Sequence, residues 1–281
     1  METGVYVVTG ANAGIGKEIA KGLARMGKPV VMVSRDPGRG ETAAEEVRTE
    51  TKGGAVELAV GSLDTVADAK RLAGTIRGRY PRIACLVNNA GVWMTRRILN
   101  ADGLETTFMV NYLGPFILTN LLLPCLAAAA PARVVNVNAA LYVYGRLDLE
   151  RTPYGHDFNR FRTYCSSKQA NLLFTVELAR RLGSSGVSVN AVHPGVIRTG
   201  LAMGDTRGVL DLAVRAWKRF MKTPAQGAKA PIRLAAAPEL EGVTGRFFLI
   251  TKEKAIREKG KDPEAAARLW ELSERLGGFS V

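Results

Sequence analysis

Tyr164 and Lys168 stand four residues apart in a stretch with helical patterning, so their side chains share one helix face. A phenol with a reference pKa of about 10 is a poor general acid–base at neutral pH. A neighbouring ammonium favours the phenolate and brings the hydroxyl toward the working range. The pair could therefore move a proton to or from an oxygen held beside it. Alone, Tyr-x-x-x-Lys is a weak pattern that more often marks an ordinary surface helix.

A second signal concerns phosphate. Thr9-Gly-Ala-Asn-Ala-Gly-Ile-Gly16 joins an apolar run at its N-terminal side to an amphipathic run. Gly10 permits a tight turn, and Gly14 and Gly16 let backbone approach a pyrophosphate at the positive end of a helix. That strand-before, helix-after context is what makes a glycine pattern informative. Asn12, Ala13 and Ile15 belong to the same binding segment. At the end of the second apolar run, Ser34-Arg35 offers a hydroxyl and a guanidinium suited to a ribose 2′-phosphate. The expected cofactor is NADP(H), with NAD(H) kept as the alternative by Asp36, because an acid there would bind ribose hydroxyls.

The elements that must hold these groups are legible as alternating runs. Strands are expected over Val5–Thr9, 29–34, 55–60, Ile83–Asn88, 134–137, 188–193 and 246–250. Their consecutive apolar residues suit strands covered on both faces. Helical runs lie between them, as over 15–26, where Ile15, Ile19, Leu23 and Met26 recur and Gly27 can cap the end. This alternation implies an α/β fold: a doubly wound, parallel, seven-stranded Rossmann sheet in a single domain over 1–281. Segments 140–162 and 195–221 follow carboxyl ends of strands and are the expected substrate loops, with plain surface loops as the bland alternative.

Composition removes other classes. The chain has 281 residues, enough for one large core, and a formal charge of +13. Its Lys and Arg are interspersed with acids and accompany no nucleic-acid motif, so no nucleic-acid partner is expected. The basic stretch 252–261 also carries Glu253 and Glu258 and is expected to be a solvated helix face. Cys85, Cys125 and Cys165 form an odd, spaced set, which implies reduced thiols and a cytoplasmic location. The uncharged stretch 108–131 contains Asn111, Gly114, Pro115, Asn120 and Pro124, which suit a buried helix rather than a membrane span. With the first strand starting at Val5, no leader or anchor is expected, and the protein is read as soluble with no membrane partner and no metal site.

The G-x-x-x-G-x-G spacing, Asn88-Asn-Ala-Gly91, Tyr164-Cys-Ser-Ser-Lys168 and His193-Pro-Gly195 running on to Thr199 together resemble the short-chain dehydrogenase/reductase superfamily. More narrowly, 172–182 (LLFTVELARRL), Lys222-Thr-Pro-Ala-Gln-Gly227 and 266–271 (AARLWE) are similar to its retinol-dehydrogenase-like branch, in a soluble bacterial form. The resemblance covers essentially the whole chain. It implies that Tyr164 gives a proton to a carbonyl oxygen as hydride reaches the carbon, while Lys168 also holds the nicotinamide ribose. It implies that Asn111 anchors a relay water, although a hydrogen-bonded kink in a buried helix is an equally good reading of that residue. Asn89, Ala90, Gly91, Pro194, Gly195, Val196 and Thr199 would lie along the cofactor. Relatives of this kind are commonly dimers or tetramers, so a homo-oligomer is an open expectation.

Two positions depart from the family pattern. An Asp-Leu pair usually follows the third strand, the Asp binding the adenine amine. Here the segment reads Gly61-Ser62-Leu63-Asp64, with Ser62 in the Asp position and Asp64 as a substitute if the loop shifts. The fifth strand of the branch typically reads V-V-N-V-S-S, but this chain reads Val134-Val-Asn-Val-Asn-Ala139. Ala139 thus stands where a catalytic Ser would donate to the substrate carbonyl. Candidate replacements are the Asn138 amide, a Tyr142 or Tyr144 hydroxyl, or the substrate itself. Adjacent strand residues point to opposite faces, so Asn138 serves only if the strand end twists or bulges. The expected function is an NADP(H)-dependent oxidoreductase, a ketoreductase of secondary metabolism acting on a hydrophobic ketone, aldehyde or alcohol. Val92, Trp93, Met94, Leu141, Tyr142, Tyr144 and Leu201 are candidate pocket residues for that small-molecule substrate. The alternatives are a weakened enzyme that still binds its ligands, or a cofactor-binding protein recruited for cyclisation, isomerisation or NADP-dependent regulation.

Overall fold

The Val- and Ile-rich runs pair as parallel neighbours because each crossover carries enough chain for a helix to return it to the same edge. In a computed structural model that describes residues 4–197 and 222–280, the strands are β1 (Val5–Thr9), β2 (Val30–Ser34), β3 (Val56–Val60), β4 (Ile83–Asn88), β5 (Ala132–Val137), β6 (Val187–His193), β7 (Phe247–Leu249) and β8 (Lys252–Lys254). They form one sheet in the order β3-β2-β1-β4-β5-β6-β7-β8. The order reverses between β1 and β4, the switch point where such sheets bind ligands.

The sheet has eight strands rather than the expected seven. β8 pairs antiparallel to β7, in a stretch read as a helix face. Its Lys252, Glu253 and Lys254 are all exposed, and Glu258–Gly260 is a 3-10 turn. Charged side chains on an edge strand discourage pairing with other chains.

Helices α1 (Gly14–Arg25), α2 (Pro37–Glu50), α3 (Val66–Arg79), α4 (Thr106–Phe108), α5 (Gly114–Ala128), α6 (Arg160–Leu182), α7 (Pro224–Ala236) and α8 (Pro263–Gly277) cover the sheet. α1, α2 and α7 pack on one face around Val8, Ile19, Met32 and Leu234. α3, α5, α6 and α8 pack on the other around Val7, Leu86, Phe116 and Phe174. Strand residues are therefore apolar on both faces. The apolar segment Thr106–Ala128 is long enough to cross a membrane, yet it lies largely buried within this second core. Asn111 sits in a single π turn, Met109–Leu113, between α4 and α5, which is the expected kink. Cys85, Cys125 and Cys165 are free and buried.

Candidate active site

All the predicted site residues that are described fall at or just beyond the carboxyl ends of β1 to β6, or on α6 and the π turn behind them. Gly10 (φ 63°) and Gly14 (φ 58°) adopt left-handed backbone in the turn after β1. A Cβ on Gly10 would lie 2.9 Å from the Ala90 Cα; one on Gly16 would overlap the Gly10 carbonyl oxygen and sit 2.5 Å from Asn89 Nδ2. Thr9 Oγ1 accepts from the backbone N–H of Asn89 and of Ala90, each at 3.0 Å. Asn89 Nδ2 donates to the Thr9 carbonyl at 2.9 Å. The ends of β1 and β4 are thereby locked together. Asn12 and Ala13 complete the turn, and Ala13, the N-cap of α1, supplies no side-chain acceptor. No acid occupies the first turn, so the leading N–H groups from Ile15 onward are left for an external anion. This cradle, too tight for any Cβ at Gly16, fits a dinucleotide pyrophosphate.

At the β2 end, Ser34 is buried and its Oγ donates to the Asp36 carbonyl at 2.8 Å. The Asp36 carboxylate accepts from Arg39 N at 2.9 Å and caps α2. Arg35 is exposed and pairs with Asp64 at 3.2 Å. Exposed pairs of this kind contribute little, so Arg35 can exchange partners readily. Asp64, the candidate adenine contact, faces Arg35 instead, while Ser62 Oγ accepts from Asp64 N and shapes the turn. Leu63 is buried against Gly114.

Tyr164 and Lys168 are both buried on α6, whose N-cap Asn159 accepts from Arg162 N. Lys168 Nζ donates to the Val137 carbonyl at 3.0 Å and lies 5.7 Å from the Tyr164 ring centroid. Burial pushes Lys168 down to about 8. Burial also pushes the Tyr164 phenol above its ordinary value, opposite to the lowering expected from the Lys168 ammonium alone. Trp93 stacks face to face on Tyr164, with centroids 4.2 Å apart and planes 8° apart, and its Nε1 donates to the Arg160 carbonyl at 2.9 Å. The aromatic surface continues through Phe161 to Tyr144, both exposed. Val92, Met94 and Leu141 are half-buried. Tyr142 is not a lining residue. It packs edge-on to Phe247 in a small core, and its hydroxyl accepts from Arg257 N at 3.1 Å. Thr199, Leu201 and most of 195–221 lie outside the described residues.

Asn111 Oδ1 accepts from Val92 N at 2.7 Å, and its Nδ2 donates to the Val92 carbonyl and to Ser167 Oγ. These bonds hold Gly91 and Val92 beside Lys168; a Cβ on Gly91 would be 3.2 Å from Asn111 Oδ1 and 3.9 Å from Lys168 Nζ. Asn138 is corrected by the structure. Its Nδ2 donates to the Lys168 carbonyl at 3.1 Å and to Asn171 Oδ1 at 2.8 Å, and its Oδ1 accepts from Ala139 N at 2.6 Å. Both amide hydrogens are engaged with α6, so none is left for a substrate oxygen. Asn138 ties the end of β5 to the helix that carries Lys168. Ser167 and Asn171 escaped the sequence reading, although each lies three residues from Tyr164 or Lys168 along α6. Ala139 is buried in extended backbone (φ −139°, ψ 142°) ahead of the 3-10 turn Ala140–Tyr144.

His193 ends β6, followed by Pro194, Gly195 (φ 103°) and Val196. Its Nδ1 is buried without a hydrogen-bond partner among the described residues. Burial, reinforced by the charges of Lys168 and Lys222, pushes its pKa down to about 4, although a hydrogen bond from the imidazole to the Asn138 backbone carbonyl acts the other way. A neutral His193 thus stabilises the fold fully above pH 6.5, and that contribution is lost as pH falls toward 4. His193→Gln is expected to remove on the order of 2 kcal/mol of the stability difference between neutral and acid conditions. Denaturant titrations of both proteins at pH 7.5 and pH 4.5 check this, each pH lying beyond one end of that window or close to it.

Residues 4–209 match the family model for short chain dehydrogenases. The chain is 39% identical to retinol dehydrogenase 14 of Homo sapiens over 293 aligned positions, covering 97% of this chain and 86% of that protein. It is 40% identical to retinol dehydrogenase 13 of Homo sapiens, covering 98% and 85%. An uncharacterised protein from Mycobacterium paratuberculosis superposes with a TM-score of 0.78 at 31% identity, covering 99% of this chain and 94% of that one. A short chain dehydrogenase from Shigella flexneri, solved in complex with NADP, shares the fold with a TM-score of 0.68 at 23% identity, covering 88% and 97%. The locked glycine turn, the Tyr164–Lys168 pair and these similarities lead to one assignment: the chain belongs to the short-chain dehydrogenase/reductase superfamily, in its retinol-dehydrogenase-like branch, and is an oxidoreductase.

Proposed function

We propose that the protein is an NADP(H)-dependent reductase of hydrophobic ketones or aldehydes, with Tyr164 as the proton donor. The observation that carries this reading is the buried Tyr164, one helical turn from Lys168, at the carboxyl end of the sheet where the uncapped start of α1 also lies. When bound, the nicotinamide supplies or accepts hydride. The turn from Gly10 to Gly16 holds the pyrophosphate, Lys168 holds the ribose, and Arg35 receives the 2′-phosphate, the Ser34 hydroxyl being buried and donating to the Asp36 carbonyl. Asn111 keeps Gly91 and Val92 against Lys168, and Tyr164 holds its proton at the hydroxyl until a carbonyl oxygen takes it.

The aromatic surface of Trp93, Phe161 and Tyr144 supports a hydrophobic substrate, as do relatives named for retinol. The NADP in the Shigella structure supports the cofactor. So does the engagement of Asp36 as a helix cap, with Arg35 as an exposed positive charge at the β2 end. Three buried free thiols suit a reducing, cytoplasmic setting.

Arg35→Ala is expected to weaken NADPH binding by about tenfold while leaving NADH nearly unchanged, since only NADPH carries the 2′-phosphate. Dissociation constants from cofactor fluorescence check it. The function itself is tested by NADPH consumption across a panel of hydrophobic ketones and aldehydes, with NADH in parallel. Carbonyl-dependent oxidation that prefers NADPH supports the reading; tight NADPH binding with no oxidation on any carbonyl defeats it. One observation favours a second reading. Ala139 offers no hydroxyl and both Asn138 N–H groups are engaged, which suits a binding or cofactor-neutral role such as isomerisation. In that case substrate would change with no net change in NADPH.

A further inference from the structure

Lys222 enters the site from far along the chain. It forms a parallel bridge with Ile197, and its backbone N–H donates to the Val196 carbonyl at 3.1 Å. This staple sits on the phosphate-binding turn. A Cβ on Gly227, in the first turn of α7, would lie 2.7 Å from Ile197 Cδ1 and 3.5 Å from Ile15 Cγ1. Ile15 of α1, Ile197 and Gly227 therefore meet at one point.

On its other side the Lys222 stem lies across Gly195. A Cβ there would stand 3.3 Å from Lys222 Cδ and 3.6 Å from Nζ, and the left-handed φ of 103° already favours glycine. His193, two residues before Gly195, lies within electrostatic reach of both Lys222 and Lys168. Lys222 is thus placed between the start of α1 and the catalytic helix. Among the described residues its ammonium has no ion-pair or hydrogen-bond partner, and Lys168 Nζ has only the Val137 carbonyl. Two ammonium groups that meet no carboxylate among the described residues, bordering an uncapped helix start, form a site for an anion spread along that line.

We propose that Lys222 is a cofactor-binding residue whose ammonium pairs with the dinucleotide pyrophosphate, on the phosphate nearer the nicotinamide ribose. This rests on the reading of the protein as a nicotinamide-dinucleotide enzyme. The glycine turn and the start of α1 grip the pyrophosphate from one side, and Lys222 closes on it from the other. Gly195 is small so that the lysine stem can cross it. The contact is to a group common to both cofactors, so it adds affinity without choosing between NADPH and NADH. Arg35 makes the choice.

The test is the dissociation constant of NADPH and of NADH, read by cofactor fluorescence at low and moderate salt, for wild type, Lys222→Met and Lys222→Arg, with thermal melts to confirm folding. Lys222→Met is expected to weaken both cofactors by about tenfold or more and to flatten the salt dependence, since a charge-assisted bond is lost. Lys222→Arg is expected to keep most of the affinity. Lys222→Gln carries the comparison if the methionine variant does not fold. Equal affinity of wild type and Lys222→Met for both cofactors overturns the proposal. A loss confined to NADPH also overturns it, by placing Lys222 at the 2′-phosphate. Wild-type protein that binds neither cofactor overturns the functional reading as well, which distinguishes the two failures.

Discussion

Tyr164→Phe is expected to cut carbonyl-dependent NADPH oxidation by about 10²–10⁴-fold, the usual contribution of a positioned general acid. Cofactor affinity and folding should survive. The phenyl ring keeps the 4.2 Å stack on Trp93 and the burial against α6. The hydroxyl has no hydrogen-bond partner among the described residues, so its removal strands no buried group. The informative result is therefore a split: kcat falls, while the NADPH dissociation constant and the melting temperature hold. Parallel loss of binding and activity would assign Tyr164 to the cofactor site rather than to proton transfer.

The second large effect has the opposite sign. Ala139→Ser is expected to raise kcat by about 10²-fold or more, the worth of one oxyanion donor. Position 139 is buried in ordinary extended backbone, so serine adds one oxygen without backbone strain. Among the described residues no evident substitute stands in its place. The Asn138 amide is turned into α6, the Tyr142 hydroxyl lies against Arg257 N, and Tyr144 is exposed near Phe161. A gain on the same carbonyl panel, abolished in the Ala139→Ser/Tyr164→Phe double variant, marks a slow reductase that keeps the family mechanism. No gain, with Tyr164→Phe still inactive, means that the substrate supplies its own donor.

The parts of the site carried by local sequence were legible. Gly10, Gly14 and Gly16 follow a strand and open a helix, and backbone sterics at those positions admit little else. Tyr164 and Lys168 share a face because helical spacing requires it. β1 and β4 came out with the expected ends because their apolar runs are bounded by polar residues and turns. What depended on nonlocal contact was harder to see. Which way Asn138 turns at the end of β5 is decided by Asn171 and the Lys168 carbonyl, more than thirty positions away in one case and thirty in the other. Tyr142 is drawn into the core by Phe247 and Arg257 rather than by its neighbours in sequence. β8 forms because β7 leaves an open edge, although Lys-Glu-Lys carries no strand signal of its own. Lys222 reaches Gly195 only through a bridge to Ile197.

The most direct test of the central claim follows the hydrogen itself. NADPH deuterated at both C4 positions is incubated with the protein and a hydrophobic ketone, and the products are read by mass spectrometry. The account predicts deuterium on the carbinol carbon of the alcohol, in proportion to NADP formed. Converted substrate without deuterium, with the labelled NADPH intact, would contradict it and make the cofactor a bystander.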